Sequence, residues 1–516
     1  MILPRRQRYR SPDPQAKDAP RILTRAVDVT VVGGGLAGIA AATVLAERGA
    51  AVTVIEKEEF LGGRAGAWTE TLKDGTTFEM ERGFHAFFRH YYNLRALLRR
   101  IDPDLGMLTP LEDYPLCGPD GLRESFSGLP RTPVLNLLAL IRRSPTLRFR
   151  DAIRVDDTLG QAMMAYDPRA TVDRYDHVTA KDYLDRLGFP PQARQMLFDV
   201  FAHSFFNPED DFSAAELILM MHFYFLGNPE GLVFDVVDGP FSTKVWAPLR
   251  RYLEGKGVRF VMGQGAASIA RDDGHLVVRR VDGAGHRSDA VVLGVTVSAL
   301  QRIVERSPNL GDGAWRSAIR RQGVTRPFAV WRLWLDRPVG PDRSPFVGTT
   351  GLGMVDNISL YHLFEDESRD WAARTGGAVV EIHAYGLDEG VGEAAIKADF
   401  LTQLHALYPE TRDATILEDR FLLRQDCPAF RPGEGRHRPR VTTPEPGLYV
   451  AGDFVQTPFP TALMERAVAS GMLAANAILR RYGASEEPLW TVRPRGFLAR
   501  LVYGDHRRTE AAQADL

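Results

Sequence analysis

The stretch "DVTVVGGGLAGIAAATVLAERGAAVTVIEKE", opening at Asp28, constrains the fold of this chain more than any other. Valine-rich runs flank an Ala/Leu-rich segment that ends at Gly49, the pattern of a strand, a helix and a second strand. The glycine cluster falls at the first strand-to-helix turn. There Gly33 permits the tight turn, Gly35 lets the backbone come close to a pyrophosphate, and Gly38 lets the helix pack against the strand. The N-terminus of that helix offers unpaired N–H groups to phosphate oxygens. Glu56 stands roughly 20 residues beyond the first glycine, where a carboxylate can accept hydrogen bonds from a ribose diol. A parallel sheet that binds a dinucleotide is therefore expected near the N-terminus.

Composition narrows the remainder. A chain of 516 residues that is 44% hydrophobic can bury a large core and favours more than one domain. Lys and Arg number 64 against 66 Asp and Glu, so there is no global basic field, and no nucleic-acid partner is expected. Two cysteines, Cys117 and Cys427, leave no room for a disulfide framework or a CxxC pair and suit a reducing, cytoplasmic setting. No run of 18 apolar residues occurs that would span a bilayer. Residues 1–27 carry charge and proline rather than an apolar leader and read as a flexible basic arm. Without an HExxH pair or a Cys/His cluster, no metal is expected.

Two further segments identify the dinucleotide by resemblance. "LGGRAGAW", residues 61–68, taken alone is a glycine turn with an arginine. Near the other end stands "PGLYVAGDFVQTPFPTALMERAVASGMLAANAIL", a buried-strand pattern, Gly452 and Asp453, then a long helix from about Thr461. Together they resemble the GG-Arg segment and the C-terminal motif of the flavin amine oxidase and carotenoid desaturase superfamily. That resemblance implies FAD as cofactor. Gly62, Gly63 and Arg64 would lie against its pyrophosphate, residues near Ala266 beside the adenine, and Gly452 and Asp453 at the ribityl chain. The following helix would point its positive end at the flavin ring, which favours reduced flavin. No second GxGxxG in a βαβ setting appears, so the substrate itself is expected to reduce the flavin.

"ERGFHAFFRHYYN", residues 81–93, and "CPAFRPG", residues 427–433, resemble the carotenoid desaturase family more narrowly, in particular the β-carotene desaturase/methyltransferases, or isorenieratene synthases, of actinobacteria. The likeness runs from about Asp28 to about Arg481. It implies an α/β fold with an α+β insert: a Rossmann-like FAD-binding domain of the flavin amine oxidase type and a discontinuous substrate-binding domain. The FAD-binding domain is expected to comprise residues 28–104, 239–299 and 421–484, the substrate- and membrane-facing domain residues 105–238 and 300–420, with a C-terminal tail at 485–516. The implied activity is desaturation of the β-ionone ring with migration of a methyl group, giving an aromatic ring. A linear carotene desaturase, a cis-trans isomerase and a flavin amine oxidase are the alternatives. A long apolar carotenoid, peripheral contact with the inner face of the cell membrane, and an unidentified electron acceptor complete the implied partners.

Within the aromatic segment His85 is the candidate base or ring-positioning group, with Glu81 and Arg82 as lesser contributors. A histidine between phenylalanines can equally be a hydrogen-bonded core residue. "PRTPVLNLLALIRRSPTLRFRDAIR", residues 130–154, reads either as a helix lying on a bilayer or as a buried helix with a solvated arginine end. "AAELILMMHFYFLGNPEGLVFDVV", residues 214–237, reads as tunnel lining or core. "DAVVLGVTVSAL" reads as a buried strand running into a loop, and Trp331 and Trp334, read as alternating away from Arg332, as pocket wall or sheet face.

Overall fold

Four of the five residues of Asp28–Val32 and of Ala51–Ile55 are buried, and the two strands pair in parallel from Asp28↔Ala51 to Val32↔Ile55. β-branched side chains suit strands covered on both faces. The computed structural model describes residues 8–10, 19–130, 135–147, 157–164, 166–227, 230–231 and 233–494. In it this pair becomes the centre of a five-stranded parallel sheet, ordered Arg259–Val261, Ala51–Ile55, Asp28–Val32, Ala290–Leu293, Leu448–Val450. Three distant stretches of chain thus build one sheet. The helix Leu36–Glu47 covers it and packs on the C-terminal helix Leu463–Arg481. A Cβ on Gly471 would fall 2.1 Å from the carbonyl oxygen of Ala37, so this helix pair depends on the missing side chain.

A second, seven-stranded sheet runs in the order Ile416–Arg424, Phe328–Leu335, Ala378–Ala384, Asn357–Leu360, Phe346–Thr349, Leu116–Cys117, Arg123–Glu124. One face packs on the helix Glu393–Leu407 through Val380, Ile382, Ile396 and Phe400. The other face carries His383, which lines the same cavity as Val32 and Ile55 of the five-stranded sheet. Between them lies a small antiparallel sheet in which Phe234–Val237 pairs with both Phe87–Phe88 and Leu108–Leu111. The aromatic segment is therefore one wall of the space between the two large sheets.

Several expectations change. Arg8–Arg10 pairs with Trp490–Val492, and Leu23 is buried with its N–H bonded to the Arg48 carbonyl, so parts of the expected arm and tail are tied to the body. Residues 1–7, 11–18 and 495–516 of those two segments lie outside the described residues. The strand Ile416–Arg424 crosses the expected boundary at 420/421, because its pairing with Phe328–Leu335 continues to Phe328↔Arg424. After the buried strand Ala290–Leu293 the chain runs through a short loop, residues 294–296, as expected, and then enters the helix Val297–Glu305. The long C-terminal helix begins at Leu463, not Thr461. Trp331 and Trp334, three residues apart on a strand, face opposite ways. Trp331 packs toward Phe400, while Trp334 shares the Arg332 side and packs on Phe78. Of residues 130–154, Leu135–Arg143 is a helix, and 131–134 and 148–154 lie outside the described residues. Among the described residues no helix is long and apolar enough to cross a membrane.

Candidate active site

The glycine turn after the first strand opens a cavity of about 1130 Å³ that continues past the aromatic segment. Gly33 has φ +103°, and a Cβ there would meet the Gly294 carbonyl oxygen at 2.3 Å. A Cβ on Gly38 would lie 1.9 Å from the Gly33 carbonyl oxygen, so helix and turn touch backbone to backbone. At Gly35 a Cβ would meet nothing nearer than 3.8 Å; it would project into the cavity instead. The second glycine turn lies alongside: Gly62 N–H donates to the Gly34 carbonyl at 2.9 Å, and Gly62 has φ +107°. Two bare backbone turns side by side leave room for the pyrophosphate of FAD, and a cradle that side chains would fill fits that group.

The other expected cofactor residues line the same cavity: Glu56, Gly63, Arg64, Ala266, Gly452 and Asp453. Gly38 does not; it acts from behind the turn. Glu56 accepts the N–H of Gly34 at 2.6 Å and of Glu58 at 2.9 Å, which orients its carboxylate while each oxygen keeps further acceptor capacity. Arg64 donates to Asp453 at 2.6 Å, so the two halves of the motif, 389 residues apart, are joined as an ion pair. Asp453 is held from behind by Arg466, which is fully buried and donates to the Asp453 carbonyl at 3.0 Å and to Thr461. Arg466 and Arg438 share the carboxylate of Glu216, whose pKa they hold down against the opposing effect of burial. Leu463, at φ +48°, and Met464 bring the start of the C-terminal helix into the cavity wall. A left-handed leucine costs about 1–2 kcal/mol, strain of the kind held at binding sites.

Beyond the glycine turns the wall becomes aromatic. Phe84, Phe88, Phe205, Phe206, Phe234 and Phe346 line it, with Tyr224 and Phe225 from the 214–237 stretch. The first part of that stretch is core: every residue of Ala214–Met221 is buried. His85 is in the wall, its Nδ1 2.6 Å from the Gly83 carbonyl and its ring edge-on to Phe241. Burial pushes its pKa down to about 4, so it is a neutral imidazole whose Nε2 keeps a lone pair. His90 lies outside the cavity, fully buried among Phe88, Tyr91, Phe223 and Tyr224. Arg82 lines the cavity and pairs with Asp426 at 2.5 Å. Glu81 is buried behind it, accepts the Phe241 N–H at 2.9 Å, and is pushed up to about 8 by burial. Among the described residues no cluster of His, Cys, Asp and Glu could hold a metal.

One polar group in the wall was missed from the sequence. Glu381, His383 and Tyr385 share a face of the strand Ala378–Ala384 and the residue after it. Glu381 Oε1 lies 2.7 Å from His383 Nε2, His383 Nδ1 lies 2.6 Å from the Tyr385 hydroxyl, and Asn357 donates to that hydroxyl at 2.9 Å. Arg332, opposite Glu381 in the ladder, donates to its Oε2 at 2.8 Å and holds it down to about 2 against the effect of burial. His383 and Tyr385 line the cavity. The signal was available: "EIHAY" places all three at strand period among apolar neighbours.

Known proteins agree with this architecture. Residues 36–479 match the family described as flavin containing amine oxidoreductase. A protein named carotenoid phi-ring synthase from Streptomyces griseus is 49% identical over 464 residues, covering 90% of each chain. A carotenoid phi-ring synthase from Chlorobaculum tepidum is 28% identical over 92% of each, and the 15-cis-phytoene desaturase of Narcissus pseudonarcissus is 24% identical over 89% of this chain and 80% of its own. Among solved structures, wild-type putrescine oxidase bound to putrescine superposes with a TM-score of 0.67 at 17% identity, covering 89% of this chain and 100% of its own. Cyclohexylamine oxidase from Brevibacterium oxydans superposes at 0.65 and 16%, covering 88% and 99%. The chain belongs to the flavin-containing amine oxidoreductase family, on its carotenoid desaturase branch, and is an FAD-dependent oxidoreductase.

Proposed function

We propose that the protein oxidises the β-ionone ring of a carotenoid, with β-carotene as substrate, and moves one methyl group within the ring to give the aromatic φ-type ring of isorenieratene. The observation that carries this reading is the continuity of one cavity from the glycine turns into a phenylalanine-lined chamber. Such walls exclude water and present ring faces that tolerate cationic charge. The 49% identity to a protein named carotenoid phi-ring synthase supports the choice of reaction.

In this reading the turns at Gly33, Gly35, Gly62 and Gly63 receive the FAD pyrophosphate, Glu56 a ribose, and Ala266 the adenine edge. Gly38 lets the helix close on the turn. Arg64 and Asp453 meet the cofactor as a pair, with Gly452 leaving backbone room beside them. Bound FAD supplies the hydride acceptor. The chain's own work is to hold the ring among Phe84, Phe88, Phe234 and Phe346, to keep water away, and to take up the protons that each desaturation releases. With neutral imidazole and a free Nε2, His85 is suited to accept or steer such a proton. The methyl needs no donor because it leaves the gem-dimethyl carbon for its neighbour. Membrane contact is proposed through Leu135–Arg143, where Leu138, Arg142 and Arg143 are exposed, on the inner face of the cell membrane.

Expression in cells that accumulate β-carotene tests the reading. Pigment lighter by four hydrogens per converted ring, with no added carbon, is expected. Unchanged β-carotene beside FAD-loaded protein would reject it. An open-chain product with fewer hydrogens would favour linear desaturation, and unchanged mass with altered absorption would favour isomerisation. Full activity of His85→Ala would remove His85 from the proton steps.

A further inference from the structure

We propose that Tyr385, His383 and Glu381 form a proton relay that removes the protons lost by the carotenoid ring, with Tyr385 facing the substrate and Arg332 fixing the far end. The inference rests on the ring-oxidation reading above. Four geometric facts carry it. The three side chains project from one strand face at alternate positions, and the ladder sets Arg332 directly opposite Glu381. The contacts form an unbroken chain, Tyr385 Oη to His383 Nδ1 at 2.6 Å and His383 Nε2 to Glu381 Oε1 at 2.7 Å. The chain starts in the cavity wall and ends at a carboxylate that is fully buried, as is His383 within 1%. Finally, the Phe206 ring lies 4.5 Å from the Tyr385 ring and Asn357 donates to its hydroxyl, so the phenol is clamped.

The hydrogen-bond pattern sets the direction of transfer. Glu381 is an acceptor held by the Arg332 guanidinium, so His383 Nε2 carries the proton and Nδ1 accepts from the Tyr385 hydroxyl. The Phe84 N–H also approaches Nε2, but at 3.5 Å it is too long to reverse that assignment. Tyr385 Oη therefore keeps an acceptor lone pair while already donating inward. Bound FAD would supply the hydride acceptor, and a C–H beside a ring carbon that carries positive charge is acidic. Its proton passes to Tyr385 Oη as the hydroxyl proton moves to His383 Nδ1, and the C–H electron pair becomes the new C=C bond. The substrate cation is neutralised, and an imidazolium forms next to the Glu381 carboxylate, so net charge is conserved. Among the charged groups around the relay, Asp356 accepts the Tyr385 N–H and pairs with His203, Arg332 also lies over the Tyr361 ring at 4.0 Å, and the buried Glu81 and Glu365 lie near enough to Arg332 to interact with it. This arrangement repeats the logic of a hydroxyl, imidazole and carboxylate acting in series, here for deprotonation at carbon.

The test uses the FAD-loaded full-length enzyme with β-carotene in phosphatidylcholine vesicles and a soluble benzoquinone as electron acceptor. Tyr385→Phe is expected to keep its FAD and its KM and to lose on the order of 10²-fold in kcat. His383→Ala is expected to lose as much and to regain part of it in added imidazole, a rescue that a merely structural histidine would not allow. Independently of turnover, the wild-type holoenzyme should show a strongly downfield imidazole N–H proton resonance that disappears in His383→Ala and moves upfield in Glu381→Gln. Absence of that resonance overturns the relay, as does an FAD-loaded Tyr385→Phe that turns over within about two-fold of wild type. Failure of the functional reading looks different. Unchanged β-carotene with the wild-type enzyme overturns the ring reaction and the relay built on it, whereas normal aromatisation by Tyr385→Phe overturns the relay alone.

Discussion

At the scale of single residues, two glycines separate fold from cofactor. A Cβ on Gly38 would meet the Gly33 carbonyl oxygen at 1.9 Å, and backbone on both sides cannot yield, so Gly38→Ala should destabilise by about 3 kcal/mol or lose the fold. A Cβ on Gly35 meets only open cavity, so Gly35→Ala should melt near the wild-type temperature yet purify with little FAD. Melting temperature and flavin absorbance of the two proteins check this contrast; equal FAD content would contradict it. His90 makes a second prediction. Burial pushes its pKa from 6.5 down to about 3, so between those values the unfolded chain binds the proton and the folded chain does not. Stability therefore falls as pH falls through that window, by about 1.4 kcal/mol per pH unit for each such group. His85, pushed down to about 4, acts in the same sense. His90→Leu should flatten the slope of the urea midpoint between pH 6.5 and pH 5, whatever it does to absolute stability. The glycine turn was legible because spacing and backbone geometry are local, whereas the burial that makes His90 structural depends on Phe223 and Tyr224, far along the chain.

At the scale of elements, the helix pair Leu36–Glu47 and Leu463–Arg481 ties the two ends of the chain together beside the cavity proposed for the cofactor. Both helices are rich in alanine, and Gly471 lies against the Ala37 carbonyl. Gly471→Ala should push the helices apart and weaken FAD binding at least about ten-fold, or about 1.4 kcal/mol, although Gly471 touches no part of the cavity. Titration of the apoprotein with FAD would read this directly, and an unchanged Kd would show that the helix pair does not transmit to the site. Existence and type of these elements followed from apolar period and glycine punctuation. Their ends did not: the C-terminal helix starts at Leu463, whose left-handed backbone, φ +48°, no local pattern announces. The strand Ala378–Ala384 is buried at every position, so its polar residues at alternate places were hidden inside an apolar pattern.

At the scale of the whole molecule, the exposed Leu138, Arg142 and Arg143 on Leu135–Arg143 belong to the proposed route by which a water-insoluble substrate arrives. The protein should sediment with vesicles containing anionic lipid, and Arg142→Ser/Arg143→Ser should weaken that association by a few-fold and make it less salt-sensitive. Sedimentation unaffected by the double substitution would exclude this helix as the contact. What the sequence by itself determined was the dinucleotide unit, the second cofactor motif and the family they belong to, because a phosphate-binding turn needs particular residues at fixed local spacing. Tertiary structure alone decided which residues share the chamber. Parallel strands from 28–55, 259–293 and 448–450 close one sheet, and antiparallel pairing sets Arg332 beside Glu381. Such contacts span hundreds of residues and depend on register and packing rather than on any local pattern.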